Sequence, residues 1–568
     1  MRNVALLAVL VVVSGCSSQL ANPLSATDSA TASAQSDNLP ANEASTTGKP
    51  VPDSKPATLV LSGIVLERVS RLPDPTRVSD EDLRSVAKPL IGKRISVEDL
   101  RLLATAMEGK FRSAGYPYAR VILPPQKVEN GQVRFTVVEG WIENSKVVGK
   151  AGTEKAQAEL RLHQLDKTGP IEVDDIERMV ALLQRVPGLQ SHVSIARGGS
   201  GPGAMKLIAE VDRKAPKFLL NVQNFGSRSL GREGATLYAS IPGAAPYGDE
   251  IQLAGYNTFD YKEQSSLQAI YQRGLTRDGL TGRLAATYAR AKPSGPVAAL
   301  GLASESKTFD ASFAYPLYLR RKSSLDASFG LAYADFTGEL FQGSVPFSDD
   351  RTRSLYVGLD AKTRFLGWTL GGGTQLRRGI DLFNTSKAGE SNLARPQAEP
   401  DALITLANLN ISAPAFYGIR LKARAEGQYS ARPLMAVDEF SFGNYTIVRG
   451  FDPGAAAGDS AAAVALDASA LRQTFWEQRL GAELIGFYDA GRFWNHDSTG
   501  TRDRFIASVG GGVRLTLTGY MRADITYAMP LTAPLGLGES RPTPRILFNV
   551  TADTSTIWDE IATVWGGS

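Results

Sequence analysis

The stretch SLYVGLDAKTRF, residues 354–365, decides the fold of this chain. Leu355, Val357 and Leu359 occupy every second position and alternate with small or polar residues such as Asp360. Successive side chains of an extended strand point to opposite faces. The stretch therefore predicts a β-strand with one apolar and one polar face.

The same alternation recurs throughout the C-terminal part of the chain. Further clear examples are residues 325–334, 419–426, 513–518 and 521–527. The chain holds 22 Phe, 18 Tyr and 6 Trp, yet only five of these aromatic residues lie before position 215. At about 20 to 22 residues per strand and connection, residues 215–568 accommodate roughly sixteen antiparallel strands.

Two architectures use alternating strands of this kind, a soluble sandwich and a transmembrane barrel. The apolar face closes a core in a sandwich, whereas in a barrel it meets lipid and the polar face lines a wet lumen. Charged residues on the polar face, the aromatic enrichment and the secretion signal described next together favour the barrel. We therefore predict an all-β transmembrane barrel of about 16 antiparallel strands in residues 215–568, with the last strand at 545–551 and a C-terminal tail after it.

The first residues predict export from the cytoplasm. An apolar run at residues 4–13 follows Arg2 and is shorter than the roughly 20 residues that a membrane-spanning helix needs, so it indicates a signal peptide. VSGC, residues 13–16, resembles a bacterial lipobox. It predicts a lipoprotein-type signal peptide at residues 1–15 and acylation of Cys16; an ordinary secretory signal with an incidental cysteine is the alternative.

The segment at residues 16–57 predicts a flexible tether. It is rich in Ala, Ser, Thr, Asn, Asp and Pro and contains few bulky apolar residues. Such a composition buries too little apolar surface to offset the entropy lost on ordering.

A compact α+β pattern follows, in which one order of elements occurs twice. The order strand, helix, helix, strand, strand spans residues 58–141 and again 142–214, which indicates two small duplicated domains. The longest helix, predicted over 97–114, begins with a capping box formed by Ser96 and Asp99. Its predicted inward face consists of Val97, Leu100, Leu103, Ala104, Met107 and Phe111.

Composition argues against several classes of function. With 62 Lys and Arg against 58 Asp and Glu, the net charge of +4 provides no basic field for nucleic acid. One cysteine and three histidines argue against an internal disulfide, a cysteine-based zinc cluster and a His-rich metal site. The glycines between 198 and 203 lie between predicted strands without a following helix, so they indicate a hairpin rather than a phosphate-binding loop.

Sequence motifs in four regions of the chain resemble those of a known family. GY at 115–116, VILPPQ at 121–126, NG at 130–131 and VVEG at 137–140 resemble the end of a first polypeptide-transport-associated (POTRA) domain, and LLQRVPG at 182–188 resembles the second. FSFGNYTIVRGF at 440–451 resembles a signature loop, and FYDAG at 487–491 its partner strand. In this order they resemble the two-partner-secretion outer-membrane transporters of the haemolysin and filamentous-haemagglutinin secretion-activation family.

The resemblance implies a site inside the barrel. In that family the signature loop folds back into the lumen, where its arginine pairs with the aspartate of the partner strand; here these residues are Arg449 and Asp489. A planar guanidinium forms directional, bidentate contacts with a carboxylate, so the pair is expected to pin the loop to the inner wall. The alternative is an exposed ion pair of little energetic value. The supporting motif residues are Val448, Gly450, Phe451, Phe487 and Gly491.

The resemblance also implies a function and partners. The POTRA domains are expected to bind an unfolded secreted exoprotein in the periplasm, and the barrel to export and, in some relatives, activate it without a nucleotide or other cofactor. The other expected partners are the lipids of the Gram-negative outer membrane and the barrel assembly machinery. Related transporters often carry a plug helix, but residues 22–56 lack an amphipathic period, so we expect the signature loop to be the main closure of the lumen.

Three other functions remain open at this point. An outer-membrane insertase of the same superfamily is the nearest, although dedicated insertases commonly carry more than two periplasmic repeats. A passive porin would need neither the repeats nor the loop motif. An outer-membrane lipase would need a nucleophile such as Ser460 with His496, although their spacing matches no known arrangement.

Overall fold

The computed structural model describes most of the chain after residue 57. The described ranges are 58–69, 76–150, 152–166, 169–245, 248–341, 343, 345–443, 445–476, 479–496, 504–517, 520–533 and 541–555. The predicted signal peptide, Cys16, the tether and the tail beyond residue 555 lie outside them.

The first N-terminal domain packs two helices on a small sheet. Its elements are β1 (Thr58–Val60), β2 (Gly63–Val69), α1 (Asp80–Ala87), β3 (Arg94–Ser96), α2 (Val97–Ser113), β4 (Arg120–Ile122) and β5 (Gln132–Val138). The main sheet has the order β2-β5-β4, with β2 parallel to β5, and β1 pairs with β3. Met107 and Phe111 of α2 pack against Val133 and Phe135 of β5 in the core of this domain.

Local signals predicted this domain well, with two differences. Ser96 Oγ accepts from the Asp99 N–H at 3.2 Å and the Asp99 carboxylate accepts from the Ser96 N–H at 2.8 Å, which confirms the capping box. Val97, predicted to face inward, is 43% exposed because it is the first residue of α2, ahead of the turns that meet the sheet. The first strand of the predicted order is divided into β1 and β2 at Leu61, whose N–H donates to the Lys93 carbonyl at 3.1 Å as the chain crosses between sheets.

The second N-terminal domain repeats the same plan. Its elements are β6 (Trp141–Val148), α3 (Lys155–Leu162), α4 (Val173–Gln184), β7 (Leu189–Arg197) and β8 (Ala204–Arg213), with the sheet order β6-β8-β7. The glycine-rich segment joins β7 to β8 as a hairpin, as predicted. Among the helices of the described part, none has both the length and the hydrophobicity to cross a bilayer.

Beyond residue 214, the described part of the chain forms a closed antiparallel barrel of sixteen strands. Its first eight strands are β9 (Lys217–Gln223), β10 (Gly234–Pro242), β11 (Asp249–Thr258), β12 (Gln264–Gly274), β13 (Thr281–Ala291), β14 (Ala303–Leu319), β15 (Ser323–Leu340) and β16 (Val345–Phe365). β17 (Trp368–Gly379), β18 (Leu403–Ser412) and β19 (Arg420–Ser430) continue the wall. A short hairpin of β20 (Phe440–Phe442) and β21 (Ala456–Gly458) follows, and the wall ends with β22 (Ser460–Phe475), β23 (Leu480–Trp494), β24 (Arg504–Leu517), β25 (Met521–Pro530) and β26 (Arg545–Asp553). β26 pairs with β9 and closes the cylinder.

The two faces of the barrel wall differ as the alternation predicted. Leu355, Val357 and Leu359 are exposed on the outside, where a band of large apolar side chains is available to lipid. Other members of this band are Leu237, Leu253, Leu267, Phe313, Phe329, Leu421, Ile525 and Tyr527. Charged side chains such as Asp489 and Asp524 point inward and are buried there.

The second domain rests against the β10–β11, β12–β13 and β14–β15 turns at one end of the barrel, which we call the proximal end. Arg185 Nη2 donates to Asp326 Oδ2 at 2.9 Å, and Arg320 Nη1 donates to the Asp174 carbonyl at 3.0 Å. Leu182 packs against Leu319 beside them. The contacts combine apolar packing with ion pairs, so the domain is held at the barrel entrance.

Two long connections gather at the opposite, distal end. The return loop, residues 431–459, joins β19 to β22 and carries the β20–β21 hairpin. The cap loop, residues 380–402, joins β17 to β18. The cap loop is a feature that sequence analysis did not single out.

Candidate functional site

The return loop enters the lumen through the short hairpin of β20 and β21. Phe440, Ser441 and Phe442 pair with Gly458, Ala457 and Ala456. Phe442 is fully buried and its ring lies 5.5 Å from that of Phe493 on β23. A side chain at Gly491 would place its Cβ 2.1 Å from Phe442 Cε1, so the glycine lets the hairpin lie against the wall.

The tip of the loop is shaped for close contact with the wall. Val448 has φ +58°, a left-handed conformation that β-branched residues rarely adopt. A Cβ at Gly450 would lie 2.9 Å from both the Pro530 nitrogen and Ser508 Cβ. Phe451 is buried in a cluster with Val448. The turn thus brings Arg449 to the wall and leaves no room there for a larger residue at position 450.

Arg449 and Asp489 lie in direct contact. Asp489 Oδ2 accepts from the Arg449 backbone N–H and from Nε, both at 2.9 Å, and Oδ1 accepts from Nη2 at 2.7 Å. Asp489 is 0% exposed and the Arg449 side chain 12% exposed. The contact is therefore a buried fork of three hydrogen bonds and differs from a solvent-screened surface pair.

Two further residues complete the surroundings of the guanidinium. Asp467 Oδ1 on β22 accepts from Arg449 Nη1 at 2.7 Å. The Arg449 guanidinium carbon lies 3.8 Å from the centre of the Phe487 ring, a cation–π geometry. Sequence analysis missed Asp467; the available signal was its inward position, two residues after Ala465, which pairs with Asp489.

The loop tip also reaches the place where the barrel closes. Tyr445 stacks on Phe225 with ring centres 3.9 Å apart, and its hydroxyl donates to Asp524 Oδ2 at 3.1 Å. Arg545, the first residue of β26, donates to the Phe451 carbonyl at 2.7 Å. The tip is therefore bound to the last strands and to the segment after β9, as well as to β22 and β23.

The residues considered for a lipase are placed differently from a nucleophile and base. Ser460 is buried, its hydroxyl donates to the Ser430 carbonyl at 3.0 Å, and it accepts from the Ser430 N–H at 3.0 Å. The backbone N–H of His496 donates to Asp459 Oδ2 at 2.8 Å. Ser460 therefore serves the pairing of β19 with β22.

A second candidate surface is the edge of the second-domain sheet. β7 is nine residues long and pairs with β8 on one side, while the sheet order places it at an edge. Gly188, just before β7, lies against the barrel, since a Cβ there would be 2.2 Å from Pro242 Cβ. The corresponding strand of the first domain, β4, has three residues and also lies at a sheet edge. The longer edge therefore begins at the barrel entrance.

Comparisons with known proteins agree with this arrangement. The family model described as haemolysin secretion/activation protein ShlB/FhaC/HecB matches residues 207–515. The model of the ShlB-type POTRA domain matches residues 60–140. The first match spans more than half of the chain, and the second covers the first N-terminal domain.

Individual proteins are similar at low sequence identity. The heme/hemopexin transporter protein HuxB of Haemophilus influenzae strain 86-028NP is 23% identical over 479 residues, which covers 80% of this chain and 81% of HuxB. The structure of CdiB from Escherichia coli superposes with a TM-score of 0.70 at 15% identity, covering 90% of this chain and 93% of that one. CdiB from Acinetobacter baumannii gives 0.62 at 15% identity, with coverages of 93% and 97%. The two structures share the fold of this chain.

Proposed function

The chain belongs to the haemolysin secretion/activation family, and on this premise we propose how its parts export a secreted exoprotein across the outer membrane. The proximal end faces the periplasm and the distal end the cell exterior. Residues 58–141 and 142–214 act as two POTRA domains and residues 215–568 as the barrel and its tail. Acylated Cys16 tethers the N-terminus to the membrane, while barrel assembly machinery inserts the barrel among the outer-membrane lipids.

Substrate capture is assigned to β7. An unfolded chain has free backbone donors and acceptors, and an edge strand binds such a chain by strand addition with little demand on its sequence. The nine residues of β7 provide a long edge, and its start lies against the barrel turn at Pro242. A segment bound there lies next to the entrance of the lumen while the domain still holds it.

The return loop is assigned the role of a movable closure. The observation that carries the proposal is the buried contact of Arg449 with Asp489, at 2.7 to 2.9 Å, on a loop whose tip lies inside the barrel. An extended polypeptide needs this space, so the loop has to shift during transport. A cluster of ion pairs can break and re-form, so it gives the loop a defined resting position without a covalent bond.

Export itself is tested by comparing culture media. Cells that produce the chain are compared with a deletion strain, and we expect one large protein to be missing from the deletion medium. Arg449→Ala and Asp489→Ala should each lower its export at least about tenfold, because removing one partner of a buried pair costs about 3–5 kcal/mol. Mass spectrometry of the medium gives the yield, and heat-dependent gel mobility shows whether the barrel is folded.

A matched control is available on another part of the inner wall. Arg283 Nη1 of β13 lies 3.1 Å from Asp310 Oδ1 of β14. Arg283→Ala removes a lumenal arginine from a partly exposed pair and should leave export within about twofold of the parent. Normal export by both Arg449→Ala and Asp489→Ala would contradict the pinning role, and an unchanged medium in the deletion strain would contradict export.

Capture at β7 is tested by photo-crosslinking during export. A photoreactive residue at Gln190 or His192, both exposed on β7, should crosslink to the exoprotein. The same residue at Lys110, near the end of α2 in the first domain, is the control and should crosslink at background level. Equal crosslinking at all three positions would argue against a specific edge.

A further inference from the structure

Arg395 of the cap loop has its guanidinium buried between the two stems of the return loop, which are residues 431–439 before β20 and residue 459 after β21. Its Nη1 donates to the Leu434 carbonyl at 2.7 Å and lies 3.2 Å from Glu439 Oε1, both on the stem that leads into the lumen. The same guanidinium binds Asp459 on the stem that leads out, at 2.6 Å to Oδ1 and 3.3 Å to Oδ2. One side chain, 5% exposed, therefore joins both stems.

Asp459 extends this connection to the barrel wall. Its carboxylate is 0% exposed and accepts from the backbone N–H groups of Leu434 and His496, both at 2.8 Å. Its own N–H donates to Asn495 Oδ1 at 3.0 Å. Residues 495 and 496 directly follow β23, the strand that carries Asp489. The lumenal contact of the return loop is thus fixed to β23 at residue 489, and the stem contact to the two residues that follow the same strand.

Apolar contacts place the cap loop over the distal mouth. Ala394 packs with Ala436 of the return loop and with Leu302 of the connection between β13 and β14. Ala398 packs with Met435 in a neighbouring cluster. On the other side, the Ala394 N–H donates to Asp350 Oδ1 of β16 at 3.0 Å. The packed elements lie between the fifth and the twelfth strand of the wall, so the cap loop joins the return loop to this side of the distal mouth.

We infer that Arg395 is a second positioning residue of export, which latches the cap loop to the return-loop stems and keeps the distal mouth closed until substrate arrives. The inference rests on the proposed function for the direction of transport. The physical basis is the need of two buried carboxylates, Asp459 and Glu439, for a shared cation. When a passing chain displaces the stems, the guanidinium loses its partners and the cap loop is released with them.

The latch is tested with a reporter cysteine under the cap loop. Ala398 is 1% exposed, so Ala398→Cys should react slowly with a membrane-impermeant maleimide added to intact cells. Arg395→Ala in this background should raise the labelling rate at least about tenfold, because it leaves two buried carboxylates without their cation. Arg395→Lys keeps the charge but loses the fork, so its rate should fall between the two.

Arg432→Ala is the matched control. Arg432 lies in the stem that leads into the lumen and also bridges to the cap loop, where its guanidinium contacts Glu399 and, with Nη1 at 3.1 Å from Oδ1, Asp401. Its side chain is 42% exposed. Loss of these solvent-screened pairs should leave the labelling rate within about twofold of the parent. If Arg395→Ala gives unfolded barrels, the triple variant Arg395→Met, Asp459→Asn, Glu439→Gln removes the charge cluster without leaving a buried charge unpaired. It should also label fast, because the guanidinium that joins the cap loop to both stems is gone.

Transport supplies the readout that distinguishes a latch from a merely structural brace. Labelling of Ala398→Cys should rise when the exoprotein found in the medium comparison is produced with the chain, whereas a static brace would label equally with and without it. Labelling that is slow and unchanged in Arg395→Ala, or in the folded triple variant, overturns the inference. Fast labelling of Arg395→Ala together with an unchanged medium in the deletion strain would contradict the proposed function and leave the latch supported.

Discussion

At the scale of single residues, the lumenal site depends on the shape of one guanidinium. Arg449 contacts two carboxylates and the face of Phe487 at the same time, which uses the separate Nε and Nη donors and the planar face of the group. A lysine carries the same charge but can neither form the fork nor stack in this way. We therefore expect Arg449→Lys to resemble Arg449→Ala more than the parent in export.

Gly450 sets the distance between the loop tip and the wall. Gly450→Ala places a methyl group 2.9 Å from the Pro530 nitrogen and should destabilise the docked tip by about 1–3 kcal/mol. Export yield and single-pore conductance measure the effect; we expect lower export and more frequent openings. Gly427→Ala is the control, because the nearest atom to its added Cβ, the Ala461 oxygen, is 3.6 Å away. Equal behaviour of the two variants would contradict close docking.

At the scale of elements, the start of α4 joins the two POTRA domains. Glu172 is the N-cap residue of α4, but its side chain does not cap the helix. Its Oε2 accepts from Arg77 Nη2 at 2.6 Å and its Oε1 accepts from the Tyr116 hydroxyl at 3.1 Å, both in the first domain. The Val173 N–H donates to the Gly115 carbonyl at 2.9 Å beside it. The angle between the domains therefore depends on this contact.

The contact predicts a pH dependence of definite sign. The hydrogen bond from Arg77 lowers the pKa of Glu172 and outweighs the opposing effect of partial burial. A lowered pKa in the folded state means that the contribution is complete above the ordinary glutamate range, about 4.3, and is lost as pH falls through the lowered value. Distances between one spin label in each domain should hold from neutral pH to about pH 5 and broaden in more acid solution.

Glu172→Gln should remove this acid transition. Burial raises the pKa of the neighbouring Asp175, so a transition that remains at higher pH in the variant belongs to Asp175. Broadening that begins at the same acid pH in parent and variant would show that Glu172 does not hold the domains together.

At the scale of the whole molecule, closure of the barrel and occupation of its lumen are linked. β26 and β9 pair over only five residues of each strand, 549–553 and 219–223. Arg545 adds contacts from β26 to the Gly226 carbonyl at 3.1 Å and to the Phe451 carbonyl at 2.7 Å. The return loop thus touches β26 and, through Tyr445 and Phe225, the segment that follows β9, so the resting barrel is one packed unit of wall, loop and cap.

Two deletions compare the return loop with the N-terminal segment as closures of the lumen. Phe442 and Ala456 are paired across the β20–β21 hairpin, so a two-glycine turn can replace residues 443–455. We expect this deletion to raise single-pore conductance severalfold in planar bilayers, because it empties part of the lumen. Deletion of residues 22–56 should leave conductance unchanged. A large rise after the N-terminal deletion would contradict the return loop as the main closure.

Much of the architecture was already present in local sequence signals. The period-two alternation predicted an about sixteen-strand barrel, and the repeated α+β order predicted the two domains, because each depends on side-chain spacing along one element. The capping box at Ser96 is local in the same sense. The pairing of Arg449 with Asp489 came from motifs of a family, and its burial and its further partner Asp467 did not.

Only the tertiary structure decided which distant residues share a site. Arg395, Asp459 and Glu439 carry no local pattern, since their meeting depends on how two loops of a closed barrel turn inward rather than out into solvent. Side-chain periodicity reports which face of a strand a residue occupies, whereas the burial of a charge depends on what covers that face. For this reason the strands of the barrel wall could be predicted from the amino-acid sequence. The contacts inside the lumen and at the distal mouth became known only from the tertiary structure.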